Sequence, residues 1–148
     1  MITVIQRVTM AKVSVENKEL GRIDRGILAL LAVQHQDTEK DADRLLQRLL
    51  NYRIFPDAEE RMNLSLKDIG GGLLLVPQFT LAANTGKGNR PSFTRAAPPE
   101  QGRALFDYFV GQAQASYHHV ACGQFAADMQ VTLINDGPVT FILETLRQ

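Results

Sequence analysis

The first sixteen residues alternate between apolar and polar side chains, in a pattern typical of a strand with one buried face. This alternation predicts a strand from about Ile2 to Glu16, followed by a turn and a short second strand. The run GILALLAV at 26–33 is apolar throughout and predicts a strand covered on both faces. A similar run, LLLVPQFTLA at 73–82, follows three glycines and predicts another strand.

Two stretches have helical spacing instead. Thr38 and Asp41 form an imperfect capping box before an amphipathic helix with these apolar positions: Ala42, Leu45, Leu46, Leu49 and Leu50. A second helix is predicted to start near Pro99, with these residues on one face: Ala104, Leu105, Tyr108 and Phe109.

The apolar segments MQVTLI and FILETL predict two closing strands around NDGPVT, residues 135–140. The pattern as a whole predicts an α/β fold with layered, largely antiparallel or mixed sheets and two helices on one side. No repeat, linker or low-complexity tract interrupts it, so we expect a single domain spanning 1–148.

Composition narrows the classes of function. With 16 basic and 16 acidic residues the formal charge is zero, so any RNA contact has to be local. Cys122 is the single cysteine, which excludes an internal disulfide and a cysteine-rich zinc site. No histidine pairs with another ligand at metal-binding spacing, so we expect no metal. Without an export signal or an apolar span of about 18 residues, the predicted location is cytoplasmic.

Two short segments remain as candidates for chemistry, PQFTL at 77–81 and NDGPVT at 135–140. Backbone amides around Gln78, Phe79 and Thr80 follow a buried strand and could polarise a carbonyl group. The alternative is that this segment is simply the end of a core strand. NDGPVT is equally compatible with an ordinary turn, because Asn, Asp, Gly and Pro are the main turn formers.

Taken in this order, the two segments resemble the signature pair of the D-aminoacyl-tRNA deacylases. The segments MITVIQRVTMAKVSV, NYRIFPDAEERMNLSL, RPSF and GQFAADMQVTLINDGPVTF are also similar to that family, so the resemblance spans nearly the whole chain. It implies a homodimer with active sites at the interface and no cofactor. The implied activity is hydrolysis of D-aminoacyl-tRNA, and of glycyl-tRNA mischarged on the alanine tRNA, with rejection of L-aminoacyl-tRNA.

The resemblance also implies roles for individual residues. Gly137-Pro138 is expected to contain a cis peptide bond and to enter the pocket of the other subunit, where its carbonyl oxygens accept the substrate ammonium. The N–H groups of Phe79 and Thr80 are the implied catalytic donors, and the 2′-hydroxyl of the tRNA orients water. The other implied positions are Gln78, Ala127 and Met129 for substrate binding, Arg7 for support of the Gly-Pro motif, and Lys87 and Arg90 for RNA binding.

These supporting assignments leave simpler interpretations open. Arg7 could be an exposed strand charge, Ala127 and Met129 could belong to a plain core strand, and the two loop cations could only keep the loop soluble.

The sequence departs from the family pattern at Pro77, where the first segment usually has serine. Any mechanism that needs a side-chain hydroxyl at that position cannot operate here, whereas an RNA-assisted mechanism is unaffected. Thr80 as a covalent nucleophile lacks a visible general base. Proline here also resembles related deacylases with other mischarged substrates, but those carry alanine where this chain has Phe79. Two further hypotheses are a noncatalytic binding module and a broad small-ester hydrolase.

Overall fold

The computed structural model describes residues 1–145. Leu146 of the predicted closing segment and the end of the predicted 1–148 domain lie outside these residues. The described elements follow one another along the chain as β1 Ile2–Val15, β2 Lys18–Ile23, β3 Gly26–Ala32, α1 Glu39–Asn51, β4 Phe55–Pro56, β5 Met62–Leu64, α2 Leu66–Ile69, β6 Gly72–Pro77, a 3-10 helix at Phe79–Ala82, α3 Pro99–Ser116, β7 Val120–Cys122 and β8 Gln130–Glu144.

A six-stranded mixed sheet organises the fold. The first half of β1 pairs with β3 and its second half pairs with β2, while β8 runs along almost the whole of β1; all three pairings are antiparallel. Beyond β3, strands β6 and β7 are added in parallel. The sheet curves until it nearly closes. Strands β2 and β7, at opposite ends of the strand order, come so close that a Cβ atom on Gly21 would lie 3.0 Å from the Cβ atom of Ala121. The α/β fold with mixed sheets and two main helices is confirmed.

The central strands are buried on both faces, which explains their continuous apolar runs. Along β6, Leu73 and Leu75 belong to the core cluster shared with α1 and α3. The alternate residues Leu74 and Val76 belong to a second cluster, inside the curve of the sheet. Because successive side chains of a strand point to opposite faces, both faces of β6 need apolar residues. The prediction that such strands are covered on both sides is confirmed.

Helices α1 and α3 begin where the sequence predicts. Thr38 is the N-cap of α1, and its backbone N–H donates to the Asp41 carboxylate at 2.8 Å, as in a capping box. Helix α3 begins at Pro99, whose missing N–H costs nothing at the first helical position. Within residues 1–145, no helix combines the length and apolar composition needed to cross a membrane.

The prediction of two closing strands is wrong, because both segments belong to one strand, β8. Gln6 pairs with Thr140 and Val8 pairs with Asn135, so only Arg7 on β1 faces the four residues 136–139. The chain leaves the ladder at this bulge and then continues in the same direction. The turn-forming residues of NDGPVT therefore produce a local protrusion, and the chain does not reverse there.

The predicted strand over 73–82 is also too long. Strand β6 ends at Pro77, and Phe79–Ala82 form the 3-10 helix. Proline has no N–H to donate, and a strand usually ends where the ladder cannot continue. The N–H of Gln78 still donates to Leu31 O at 2.8 Å, which fixes the start of the 3-10 helix against the end of β3.

Candidate functional site

A cleft of about 790 Å³ opens where β3 and β6 end. Its walls come from those strand ends, the segment before α3, the first turns of α3 and the segment between β7 and β8. The lining residues that the chemistry below uses are Pro77, Gln78, Phe79, Phe93, Ala127 and Met129. Four predicted site residues from two distant segments meet in this cleft. Gln78 and Phe79 follow β6, whereas Ala127 and Met129 precede β8.

The first wall carries free backbone donors. Phe79 and Thr80 are the first two residues of the 3-10 helix, and the first N–H groups of a helix have no acceptor within it. Neither amide donates to any other acceptor in residues 1–145. The Thr80 hydroxyl accepts a hydrogen bond from the side-chain amide of Gln78. Phe79 lines the cleft, whereas Thr80 follows it along the chain and is not part of the lining. One free backbone N–H therefore belongs to the cleft wall, and a second lies next to it.

The second wall is the loop between β7 and β8. Ala126 adopts a left-handed conformation with φ of 64°, which turns the chain so that Ala127 and Met129 both line the cleft. The backbone N–H of Gln124 contacts Met129 Sδ at 3.4 Å. A Cβ atom at Gly123 would lie only 2.8 Å from the same sulfur. Met129 can occupy this position because Gly123 has no side chain. Ala127 and Met129 lie in a loop between two strands, so their interpretation as a plain core strand is wrong.

Two aromatic rings stand at the mouth of the cleft. Phe79 and Phe93 have ring centroids 5.2 Å apart and a tilted arrangement. Their side chains are unusually exposed for phenylalanine, at 59% and 41%. Phe93 is held near the cleft because Asn84 and Ser92 exchange two backbone hydrogen bonds, of 2.7 and 3.1 Å, across the base of the loop. Exposed rings at a cleft mouth are typical of a binding surface for a planar group.

The cleft contains no acid or base of its own. None of the lining residues carries a side chain that titrates. Cys122 lies close in sequence to the second wall, but it does not line the cleft, and burial, together with the charge of Asp107, raises the pKa of its thiol. The thiol therefore stays protonated and is a poor nucleophile. Across residues 1–145, no three His, Cys, Asp or Glu side chains meet as metal ligands would.

The Gly137–Pro138 motif lies on the bulge of β8, and its peptide bond is cis. Both residues are exposed, and neither lines the cleft of its own chain. Gly137 has φ of 130°, a conformation that favours glycine. Asn135 secures the far side of the bulge, because its side-chain oxygen accepts the Val139 N–H at 3.1 Å.

Arg7 supports the bulge from beneath. Its Nε donates to Asp136 O at 3.1 Å and its Nη1 donates to Ile54 O at 2.8 Å. The Arg7 side chain is only 12% exposed, and its Nε also lies 3.5 Å from the Asp136 carboxylate. The interpretation of Arg7 as an exposed strand charge is therefore wrong. Its contacts fix the backbone immediately before Gly137.

Comparisons with known proteins identify the family. The family model described as D-Tyr-tRNA(Tyr) deacylase matches residues 4–144. The chain belongs to the D-Tyr-tRNA(Tyr) deacylase family. A D-aminoacyl-tRNA deacylase of Pseudomonas putida is 59% identical over 140 residues, covering 95% of this chain and 97% of that protein. Another, from Teredinibacter turnerae, is 58% identical over 145 residues and covers 98% of this chain and 100% of that protein.

Two solved structures share the fold of this chain. The c-Myc DNA Unwinding Element Binding Protein superposes with a TM-score of 0.95 at 38% identity, over 99% of this chain and 100% of that one. A probable eukaryotic D-amino acid tRNA deacylase, at 20% identity, shares the fold with a TM-score of 0.79 over 96% and 97% of the two chains. Membership of this deacylase family confirms the predicted enzyme class, a hydrolase.

Lys87 and Arg90 lie apart from the cleft lining in this deacylase. Both are exposed on the loop that Asn84 and Ser92 close at its base. Because Phe93 follows that closure and lines the cleft, the two cations project from the same loop that supplies the aromatic mouth.

Sequence reasoning missed several aromatic wall residues: Phe93, Phe106 and Phe125. Phe93 stands in the segment RPSF, which carried part of the resemblance, yet nothing local distinguishes a ring that lines a cleft from one in the core. Phe106 has helical spacing with the core residues of α3, so its pattern predicts only burial.

Proposed function

We propose that this protein hydrolyses the ester of D-aminoacyl-tRNA and releases the free D-amino acid and tRNA. The observation that carries the proposal is the pair of free backbone amides, at Phe79 and Thr80, beside an apolar cleft without titratable side chains. Such a cleft favours ester hydrolysis by water over covalent catalysis by the protein, because a protein nucleophile needs a neighbouring base.

In this mechanism water attacks the ester carbonyl and negative charge develops on its oxygen. The N–H groups of Phe79 and Thr80 donate to that oxyanion. One preorganised donor of this kind contributes about 3 to 4 kcal/mol to transition-state stabilisation. Pro77 presents no hydroxyl at the end of β6, and no titratable side chain lines the cleft. We assign the orientation of the water to the 2′-hydroxyl of the terminal ribose, as the family resemblance implies.

The terminal nucleotide and the amino acid take different parts of the cleft. Phe79 and Phe93 offer exposed ring faces at the mouth, which suit stacking of the terminal adenine. Gln78, Ala127 and Met129 line the inner walls, where contacts with the aminoacyl group need no charge.

We further propose that the active enzyme is a homodimer and that each cleft is completed by the partner's Gly-Pro motif. In a single chain Gly137 and Pro138 are exposed and do not line the cleft. They lie on β8, whose second edge is unpaired by any strand of residues 1–145. Ile134 and Ile142, on either side of the bulge, are 56% and 67% exposed. A long edge strand with exposed apolar residues needs a cover, and a second copy supplies one.

The dimer gives a physical basis for chiral selection. The carbonyl oxygens of Gly137 and Pro138 accept the α-ammonium while the amides of Phe79 and Thr80 bind the ester oxygen. With both groups fixed, the stereocentre leaves one direction for a D side chain, and backbone blocks the other. Glycine has no side chain to exclude, so glycyl-tRNA, including that mischarged on the alanine tRNA, is also a substrate.

RNA contacts outside the cleft are few. Lys87 and Arg90 are placed to meet phosphates near the acceptor end, and the formal charge of zero predicts weak binding with modest salt dependence. Because its substrate is made where translation takes place, we propose that the enzyme acts in the cytoplasm.

The test is hydrolysis of D-tyrosyl-tRNA, L-tyrosyl-tRNA and glycyl-tRNA by chelator-treated protein. We expect rapid loss of the D ester, slower loss of the glycyl ester and survival of the L ester. Hydrolysis of the D and L esters at equal rates would contradict chiral selection. Survival of all three esters at high protein concentration would refute the proposed hydrolysis and favour the noncatalytic binding module.

A further inference from the structure

Arg103 is an exposed cation at the edge of the cleft with no assigned role. It lies in the second turn of α3, next to Gly102, which lines the cleft. Its guanidinium carbon is 5.0 Å from the centroid of the Phe125 ring, and that ring is part of the cleft wall. A guanidinium over an aromatic face at this distance is attracted by the ring electrons. The charge of Arg103 is therefore located beside an otherwise uncharged cavity.

The ring beneath Arg103 is itself fixed. Phe125 packs against Phe106 with ring centroids 6.3 Å apart. It also approaches the α3 backbone so closely that a Cβ atom on Gly102 would lie 3.2 Å from its Cζ atom. Since the ring cannot move far, the stacked guanidinium loses part of its rotational freedom before any ligand arrives. A cation held in this way gives up less entropy when it binds an anion.

Arg103 has no anionic partner in the described part of the chain. Three other arginines form ion pairs with carboxylates: Arg7, Arg22 and Arg61. For Arg103, no carboxylate of residues 1–145 lies within ion-pair distance, although Glu100 and Asp107 share its helix. Stacking on Phe125 occupies one face of the guanidinium and leaves its N–H edges free.

We propose that Arg103 is a positioning residue that binds a backbone phosphate of the 3′-terminal nucleotides of tRNA. The inference rests on the proposed function, because the substrate then enters the cleft by the end of a polyanion. The planar fork of arginine binds phosphate through two parallel N–H donors, a geometry that lysine lacks. Arg103 touches neither the ester nor the attacking water, so it affects binding and leaves the chemical step unchanged.

Its position also separates it from the other proposed RNA contacts. Lys87 and Arg90 project from the loop that carries Phe93, whereas Arg103 stands on α3 over Phe125. Phosphate contacts fix the register of an RNA strand without reading its sequence. Contacts from two different elements would orient the acceptor end along the cleft before hydrolysis.

The first experiment measures binding of an uncharged minihelix ending in CCA to wild type, R103Q, R103K and the control R61Q, between about 50 and 200 mM salt. Loss of one phosphate contact at R103Q should weaken binding about 3- to 10-fold and reduce the log-log salt slope by about 0.7. R103K should fall between R103Q and wild type. Arg61 is an exposed arginine, 79% exposed in the β4–β5 turn, and R61Q should bind as wild type does.

The second experiment compares D-tyrosyl-tRNA with D-tyrosyl-adenosine, which has no phosphate. R103Q should raise KM about 3- to 10-fold for the tRNA substrate, with kcat unchanged, and should leave the adenosine substrate unaffected. An unchanged salt slope in R103Q, or an equal rise of KM for both substrates, would overturn the proposal. Arg103 would then only pack on Phe125. If no variant hydrolyses either ester, the proposed function fails, whereas the minihelix slopes still decide the role of Arg103.

Discussion

Replacement of Arg7 should damage the Gly-Pro motif through loss of backbone support. The substitution R7M keeps an apolar stem of similar length but removes the donors to Ile54 O and Asp136 O. Hydrogen bonds from charged donors contribute about 1.5 to 3 kcal/mol each. Ile54 is buried at 1% exposure, so water cannot replace its lost donor, whereas the Asp136 side is open to solvent. We expect R7M to lower the free energy of unfolding by about 2 to 4 kcal/mol.

The control for this experiment is D136N, which keeps the Asp136 carbonyl but neutralises the ion pair. Because that carboxylate is 43% exposed, its pairing with Arg7 contributes only about 0 to 1 kcal/mol. Stability is measured by urea unfolding, and activity as kcat/KM for D-tyrosyl-tRNA. We expect kcat/KM to fall at least about 10-fold in R7M and to change little in D136N. Full activity and wild-type stability of R7M, or equal losses in D136N, would show that the hydrogen bonds of Arg7 do not support the Gly-Pro motif.

Three further predictions concern other parts of the site and the core. F93A should raise KM for D-tyrosyl-tRNA with unchanged stability, because the ring is exposed at the mouth; an unchanged KM would argue against stacking there. G123A should lower kcat/KM, because the new Cβ atom would lie 2.8 Å from Met129 Sδ and would push that side chain out of place. Wild-type kinetics of G123A would show that this wall tolerates the movement. Y117F should cost about 1 to 3 kcal/mol in urea unfolding, because the buried hydroxyl donates to Gly71 O. Burial raises the pKa of Tyr117, so the unfolded chain ionises first and wild-type stability should fall above pH about 10, less steeply in Y117F; parallel pH profiles would contradict this.

The order and type of most long elements could be predicted from the sequence because local patterns determine them. GILALLAV is apolar on both faces since β3 lies between two core clusters. The start of α1 follows from Thr38 and Asp41, whose hydrogen bond is local. Signals of this kind need no knowledge of distant partners.

The closing segment could not be predicted because its conformation depends on a distant strand. Asn, Asp, Gly and Pro between two apolar runs favour a hairpin on local grounds. Pairing of both runs with β1 instead keeps them in one strand, and Arg7 supplies the hydrogen bond that secures the protruding residues. The pairing partner and its register are non-local information.

The composition of the candidate site was only partly predictable for the same reason. Gln78 and Phe79 stood out through their position after a buried strand, and Ala127 and Met129 through the family resemblance. Phe93 and Phe125 come from separate loops, and only the fold brings them to the same cleft. The contacts that select them are tertiary, so no local spacing marks them.

The role of the 2′-hydroxyl is tested by comparing two forms of D-tyrosyl-tRNA in single-turnover hydrolysis, one ending in adenosine and one in 2′-deoxyadenosine. Since no titratable side chain lines the cleft, we assign the orientation of water to the 2′-hydroxyl. We expect hydrolysis of the deoxy substrate to be slower by about 10²-fold or more, with binding little changed. Equal rates for the two substrates would show that a protein group activates the water, and would contradict the mechanism proposed for this cleft.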